Sequence, residues 1–407
     1  MLSCDIDNDE MEELVLLCWK IGRFGKHKPF WVADEEDTWS QHLFVYEYEA
    51  ERIRPKWMSS YLGQDIVDMK SNGQEAPYIR LWMQEPEGTM SSWFWDSWGF
   101  QREENNISFC VFGDVLAHKP IYNYGLQKEP SFGFLFENVQ EILDDSTVSI
   151  INQETPLTDN PAMYGDFPRF GTPVQVGQAI VDAGFDIVTC ATNHALDRGV
   201  EGVNLTKKFF ESNDIKCLGI QTSEEATRNL YTIIRRNGVR FALLNFTYGT
   251  NGISIPKSFP NMVHLFSEKE VHNALEQARS VADFVIVFAH WGTEYAQKPD
   301  AFQKMWTQIF LECEVDVVVG THPHCLQPYE LLVNDNGHQM LVYYSIGNYI
   351  SAQSEKSCVK GGVAQFTIGL TPDGYQLTEY MLQPLAITWH EGGKYTVECL
   401  IEKGNNE

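Results

Sequence analysis

The sharpest chemical signal in this sequence is Gly320-Thr321-His322-Pro323-His324, directly after the apolar run Val315–Val319. Two imidazoles separated by a proline, whose ring fixes the backbone between them, form a metal-ligand or catalytic pattern. Other ligand-type residues stand in the same position relative to apolar runs. Ile107–Phe112 leads into Gly113-Asp114, Thr147–Ile151 into Asn152-Gln153-Glu154, Phe185–Cys190 into Thr192-Asn193-His194, and Phe284–Phe288 into Ala289-His290. Taken singly, each has an ordinary explanation. Gly-Asp and Asn-His are common turn chemistry, Glu154 could start a helix, and His290 could be a hydrogen-bonded core histidine. Together, Asp114, Glu154, Asn193, His194, His290, His322 and His324 supply two carboxylates, one amide, four imidazoles and no thiolate. Such a nitrogen and oxygen set suits Mn, Fe, Zn or Ni and exceeds the needs of one tetrahedral zinc. Two divalent metal ions ~3.5–4 Å apart would use it fully.

These groups converge only if the runs before them are core strands ending on one rim. Open α/β sheets bind ligands there, beyond the carboxyl ends of their strands. The intervening segments fit that arrangement. Val174–Ala183, stopped by Gly184, and Val200–Ser212, Glu268–Ala282 and Phe302–Glu312 have helical spacing. Alternation of strand and helix predicts an α/β body with a largely parallel core. Past residue 328 the pattern changes. Tyr329–Val333, a turn at Asn334–Gly337 and Gln339–Ser345 read as a hairpin, and β-like segments continue to about Trp389.

The chain is 407 residues long, 43% hydrophobic and 21% charged, which fits two or three globular domains. Its formal charge of −26 argues against nucleic acid or an anionic membrane surface as the main partner. An anionic substrate stays possible, because bound cations reverse the field locally. Nine cysteines without a CxxC pair argue against a disulfide framework and fit a reducing compartment; Cys110, Cys190 and Cys313 read as small buried hydrophobes. No apolar run approaches the ~20 residues that span a bilayer. The start, MLSCDIDNDEMEELVLLCWKIG, is acidic before its apolar patch and does not read as a secretory signal. The expectation is a cytoplasmic protein without direct membrane insertion.

The ordered motifs resemble the bacterial poly-gamma-glutamate capsule synthesis proteins of the CapA type. They are Gly113-Asp114, Asn152 to Pro156, Thr192 to Gly199, His290 to Tyr295, Gly320 to His324 and Ser345 to Tyr349, and they cover about residues 107–350. That family is similar to calcineurin-type metallophosphoesterases, so the resemblance implies an α/β fold: a four-layer αββα sandwich with metals at the strand ends. It also implies roles. Asp114 would bind one metal and Glu154 would bridge. Asn193 would ligate the second, and His290, His322 and His324 would complete the set. His194 would act as general acid or leaving-group stabiliser, with Asp197 orienting its ring. By residue type alone, Asp197 could equally be a helix-start residue before Gly199. The pattern also departs from phosphoesterases. Leu116 stands where Asp-x-His would place a histidine, and His118 either compensates or is a surface residue. An Asn-x-Glu replaces the second Gly-Asp motif. The family commonly has an N-terminal anchor or export signal, which this start does not resemble.

Residues 1–105 carry eight of the eleven tryptophans and end near the polar Gln101–Asn106, a candidate linker. Trp93, Trp95 and Trp98 serve either as core or as an exposed binding platform. Asp34–Asp37 reads as a solvated turn that Trp31 precedes. The organisation expected is an acidic, Trp-rich accessory domain at 1–105, a CapA-like metallophosphoesterase-type domain at 106–390, and a tail at 391–407. The function expected is metal-dependent, phosphoesterase-like hydrolysis in capsule or envelope polymer metabolism. A metal-bound hydroxide would attack a phosphoryl centre of an anionic small molecule or polymer. Two alternatives remain: a non-catalytic accessory subunit of a polymer synthesis or export complex, and metal-assisted hydrolysis of a γ-glutamyl amide at the same residues.

Overall fold

The apolar runs form two sheets whose strands end in the candidate ligands. A computed structural model describes residues 1–22, 39–129, 131–225, 227 and 229–400. Trp31 and Asp34–Asp37 lie outside them. One sheet runs in the order Lys216–Leu218, Ile187–Thr189, Val148–Gln153, Asn106–Val115, Lys360–Thr371, Gly374–Trp389, Tyr395–Cys399, with Asn348–Ile350 also pairing Asn106–Val115. Its first four strands are parallel. The other sheet has Val239–Thr247, Phe284–His290, Val317–Thr321 and Gln339–Tyr343 in parallel, flanked by antiparallel Tyr231–Arg236 and Tyr329–Val333.

The central parallel strands of each sheet are buried on both faces, which is why they read as continuous apolar runs. On one sheet Cys110, Phe112, Ile151 and Val188 pack outward against the helices Val174–Ala183 and Gly199–Ser212. On the other, Ala242, Leu244, Val287 and Val318 pack against Glu268–Val281 and Ala301–Glu312. The alternate residues of both sheets, such as Phe109, Ile150, Phe241 and Ile286, are at most 1% exposed. Phe109 meets Phe241 across the middle, ring centroids 5.0 Å apart. Helix, sheet, sheet and helix follow in layers, the αββα order expected. The four helices lie within one residue of their expected bounds, and Gly184 takes the left-handed φ of 89° that stops the first of them. The helix Lys119–Lys128 has no counterpart in the sequence reading.

By its contacts the chain forms two units: Met1–Ile107 with Ile368–Thr378, and Ser108–Thr367 with the chain from Glu379 onward. The first unit holds two four-stranded antiparallel sheets around Val15, Leu43, Val45, Leu81 and Met83. Trp57, Trp93 and Trp95 pack against this core, whereas Trp98 is 85% exposed, so the three neighbouring tryptophans are not one platform. Three details of the sequence reading need correction. Gln101–Glu103 belong to the strand Gly99–Glu103, and the Asn105 side chain accepts from Ser92 N and donates to Met90 O, so this stretch is ordered rather than a free linker. Tyr395–Cys399, placed in a tail, is an edge strand paired with Gly374–Trp389. Cys313 is half-buried rather than buried.

Candidate metal centre

A β-bulge sets the first ligand. Ile151 pairs with Phe112, but the next residue, Asn152, pairs with Asp114, so Gly113 is an extra residue. In a regular strand Asp114 would share the outward face of Phe112 and point into the helix-packed core. The bulge turns it to the face of Asn152, whose Nδ2 donates to Asp114 Oδ1 at 2.6 Å. Glycine is required at 113: a Cβ there would lie 1.9 Å from the Gly347 carbonyl oxygen. Asp114 Oδ2 accepts from the backbone N–H of His322 at 3.2 Å and lies 3.2 Å from His324 Nδ1.

Glu154 follows the next strand directly and is 1% exposed, yet neither carboxylate oxygen has a hydrogen-bond partner. His290 Nε2 lies 3.7 Å from Oε1 and His324 Nδ1 3.8 Å from Oε2. Two ligand-type triads thus share this carboxylate: Asp114, Glu154 and His324 on one side, Glu154, His290 and His322 on the other. Glu294 forms a third triad with His322 and His324. His322 and His324 take positive φ, 95° and 60°, so the chain turns sharply through Pro323 and both rings return to the same centre. His290 Nε2 donates to Asn193 Oδ1 at 2.8 Å, while Thr321 Oγ1 lies 2.9 Å from its Nδ1.

Without a cation, burial drives these groups toward their neutral forms. Burial, followed by the nearby Asp114, pushes the Glu154 carboxyl well above the usual range. Burial holds His290 and His322 well below the ordinary histidine value, hence neutral, the form that binds metal. His322 Nδ1 is also buried without a partner. Orphaned buried polar atoms call for an ion or water. With only nitrogen and oxygen donors and a shared carboxylate, these residues fit divalent cations.

His194 stands beside the triads and belongs to none of them. Its Nδ1 donates to Asp197 Oδ2 at 2.7 Å, and the same oxygen accepts from Phe170 N at 2.7 Å. Asp197 makes no helix cap; Arg198 is the N-cap residue of Gly199–Ser212. The Arg198 guanidinium donates to the carbonyls of Met163, Arg169 and Asp197. It lies so close to the chain that a Cβ on Gly165 would be 1.9 Å from Nη2. The loop 163–171 is thereby fastened beneath Phe167 and Phe170, which wall a cleft of about 430 Å³ together with His194, His324, Glu294 and Tyr295. His118 lies on this wall as well, accepting from Ala352 N at 3.2 Å, and belongs to no ligand triad among the described residues.

Several contributors carried no assigned role in the sequence reading. Thr321 engages His290, Asn348 Oδ1 accepts from His324 Nδ1 at 3.0 Å, and Asn251 accepts from the Asn193 amide at 3.3 Å. Tyr248, its phenol pushed up to about 12 by burial, packs its ring 4.6 Å from that of His322. Glu294 and Asn348 were visible inside their motifs. Asn251 and Tyr248 lie in a segment without any ligand-type signature.

Comparison with known proteins bears on the same residues. The profile described as "Bacterial capsule synthesis protein PGA_cap" matches residues 108–353. Capsule biosynthesis protein CapA of Bacillus anthracis is 28% identical over 265 residues, covering 62% of this chain and 61% of that protein. PGA biosynthesis protein CapA of Bacillus subtilis is 27% identical over 250 residues, covering 61% and 64% respectively. The chain therefore matches less than two thirds of these relatives' length. Among solved structures, the NAD nucleotidase of Haemophilus influenzae aligns with a TM-score of 0.42 at 15% identity, over 71% of this chain and 53% of that one.

Proposed function

Because the chain belongs to the bacterial capsule synthesis protein (PGA_cap) family, we propose that it is a metal-dependent hydrolase of capsule or cell-envelope polymer metabolism. The observation that carries this reading is Glu154, buried, with both oxygens unpartnered and shared between two triads of ligand-type groups. Asp114 and His324 would hold one divalent ion, His290 and His322 the other, with Glu154 between them and Asn193 beside His290. Bound there, the ions would supply Lewis acidity and an activated water for attack on a phosphoryl centre.

The remaining steps belong to side chains. Asp197 holds the His194 Nδ1 proton, which fixes the tautomer and leaves Nε2 to exchange a proton with a leaving group. Phe170 packs edge-on against His194 at 4.8 Å and restricts its ring. Arg198 and Asp197 keep the loop 163–171 in place as a wall of the cleft. The family context supports an envelope polymer or its precursor as the substrate class. No helix among the described residues is long and apolar enough to cross a membrane.

The test combines elemental analysis of the purified protein with turnover of bis-p-nitrophenyl phosphate, p-nitrophenyl phosphate and a γ-glutamyl anilide. Stoichiometric metal with phosphoester turnover is the expected result. Turnover of the anilide alone would make the centre an amidase, and metal without any turnover would make the protein a binding subunit.

A further inference from the structure

The wall of the cleft carries a charge pattern at odds with a polyanionic substrate. Apart from its imidazoles, its charged residues are Glu294 and Glu355; no lysine or arginine lines it among the described residues. Glu294 reaches within 4.8 Å of the ligand atoms of His322 and His324, so negative charge begins at the metal centre and extends outward. Neighbouring cations are absent from this wall. Arg198 is committed to three backbone carbonyls, and Lys356, next to Glu355, is not a lining residue. Three aromatic side chains share the rest of the wall with Leu116, Ala352, Gln353 and Ser354. Phe167 is 75% exposed at the mouth, Tyr295 is 45% exposed, and Phe170 lies deeper.

Bound cations would attract one anionic group at the centre, but a second anion in the outer cleft would meet two carboxylates and no lysine or arginine among the lining residues. Carboxylates beside aromatic faces are suited to an ammonium, which gains from both ion pairing and cation–π attraction. From this geometry we infer that the cleft seats a substrate with a single anionic reacting group joined to an ammonium-bearing organic portion. Chains with a carboxylate on every unit would be disfavoured in it. This inference rests on the hydrolase reading above and specifies its substrate class.

Three phosphonates of similar size and different tail charge test it: 2-aminoethylphosphonate, propylphosphonate and 2-carboxyethylphosphonate. Each is titrated calorimetrically into the Mn²⁺-loaded full chain. The amine should bind about 1.5–5-fold more tightly than the propyl compound, and the carboxylate about 1.5–5-fold more weakly, as for exposed charge pairs. Raising the salt should narrow the spread, and Glu355→Gln should remove much of it at unchanged Mn²⁺ content. Binding of the carboxylate as tight as that of the propyl compound would overturn the inference. Equal binding of all three would do so too, while leaving the hydrolase reading intact. Mn²⁺ binding without affinity for any phosphonate would remove the phosphoryl reading and the inference together.

Discussion

Replacing Glu154 by glutamine separates a metal-bridging carboxylate from a structural one, because the two roles give opposite signs. Glutamine keeps the shape and removes the charge. Without metal, the wild-type carboxyl is raised by burial and has no hydrogen-bond partner to lose. A carboxyl raised in the folded state contributes stability that is fully present below its unfolded value of about 4.3 and is lost as pH rises through the folded value. The metal-free wild type should therefore lose stability toward alkaline pH, and Glu154→Gln should lack that loss. At pH 8, stripped of metal, the variant should melt at the same temperature as the wild type or higher. With metal the order reverses. At 100-fold excess over Kd, a ligand of the folded state adds about 2.7 kcal/mol. At roughly 1.6 °C per kcal/mol for a unit of more than 250 residues, the wild type should gain about 4–5 °C. The variant, without its shared ligand, should gain little. Paired scanning calorimetry with chelator and with Mn²⁺ reads both signs. A variant destabilised equally in the two conditions would refute the argument, since Glu154 would then stabilise the fold and not a bound cation.

Other outcomes follow from neighbouring geometry. His322→Ala with His324→Ala should abolish most metal content, because the two rings serve both sides of the centre; unchanged content by elemental analysis would exclude them as ligands. With no metal bound, and in the Glu154→Gln background that removes the opposite contribution of that carboxyl, stability should fall as pH drops below about 6.5. His290 and His322 are held neutral in the fold and become protonated on unfolding, so the sign is loss toward acid; a flat Tm between pH 7 and pH 5.5 would contradict it. His194→Ala should keep its metal and lose roughly 10²–10⁴-fold in turnover on a confirmed substrate, whereas Asn193→Ala should also lose metal; unchanged kcat would take His194 out of the mechanism. Arg198→Ala should expose the loop 163–171 to limited proteolysis, and Arg198→Lys should restore little, since one ammonium cannot reproduce a fork spread over three carbonyls. Equal protection in all three proteins would show that the loop holds itself.

The body of the fold was legible in the sequence because its central strands are buried on both faces. Such strands appear as unbroken apolar runs, and the polar residue after each run marks where the chain leaves the sheet. His322-Pro323-His324 and Ala289-His290 were readable for that reason, as were the helices with their regular spacing. Asp114 was identifiable as a candidate, but its direction was not. The bulge at Gly113 decides whether it points into the helix-packed core or to the centre, and that depends on pairing with Ile151 and Asn152, about 40 residues away. The sharing of Glu154 between two triads likewise exists only once the ends of both sheets meet. Arg198 carried no chemical signature beyond its place in a motif, since its role lies in carbonyls supplied by residues 163 and 169. Nor did composition separate the tryptophans. Trp93 and Trp95 pack on a core that Trp98, in the same short segment, does not reach. Residue type and local order thus specified which groups could do chemistry. Register, bulge and the meeting of distant strand ends decided which of them face one another, because these depend on contacts between segments far apart in the chain.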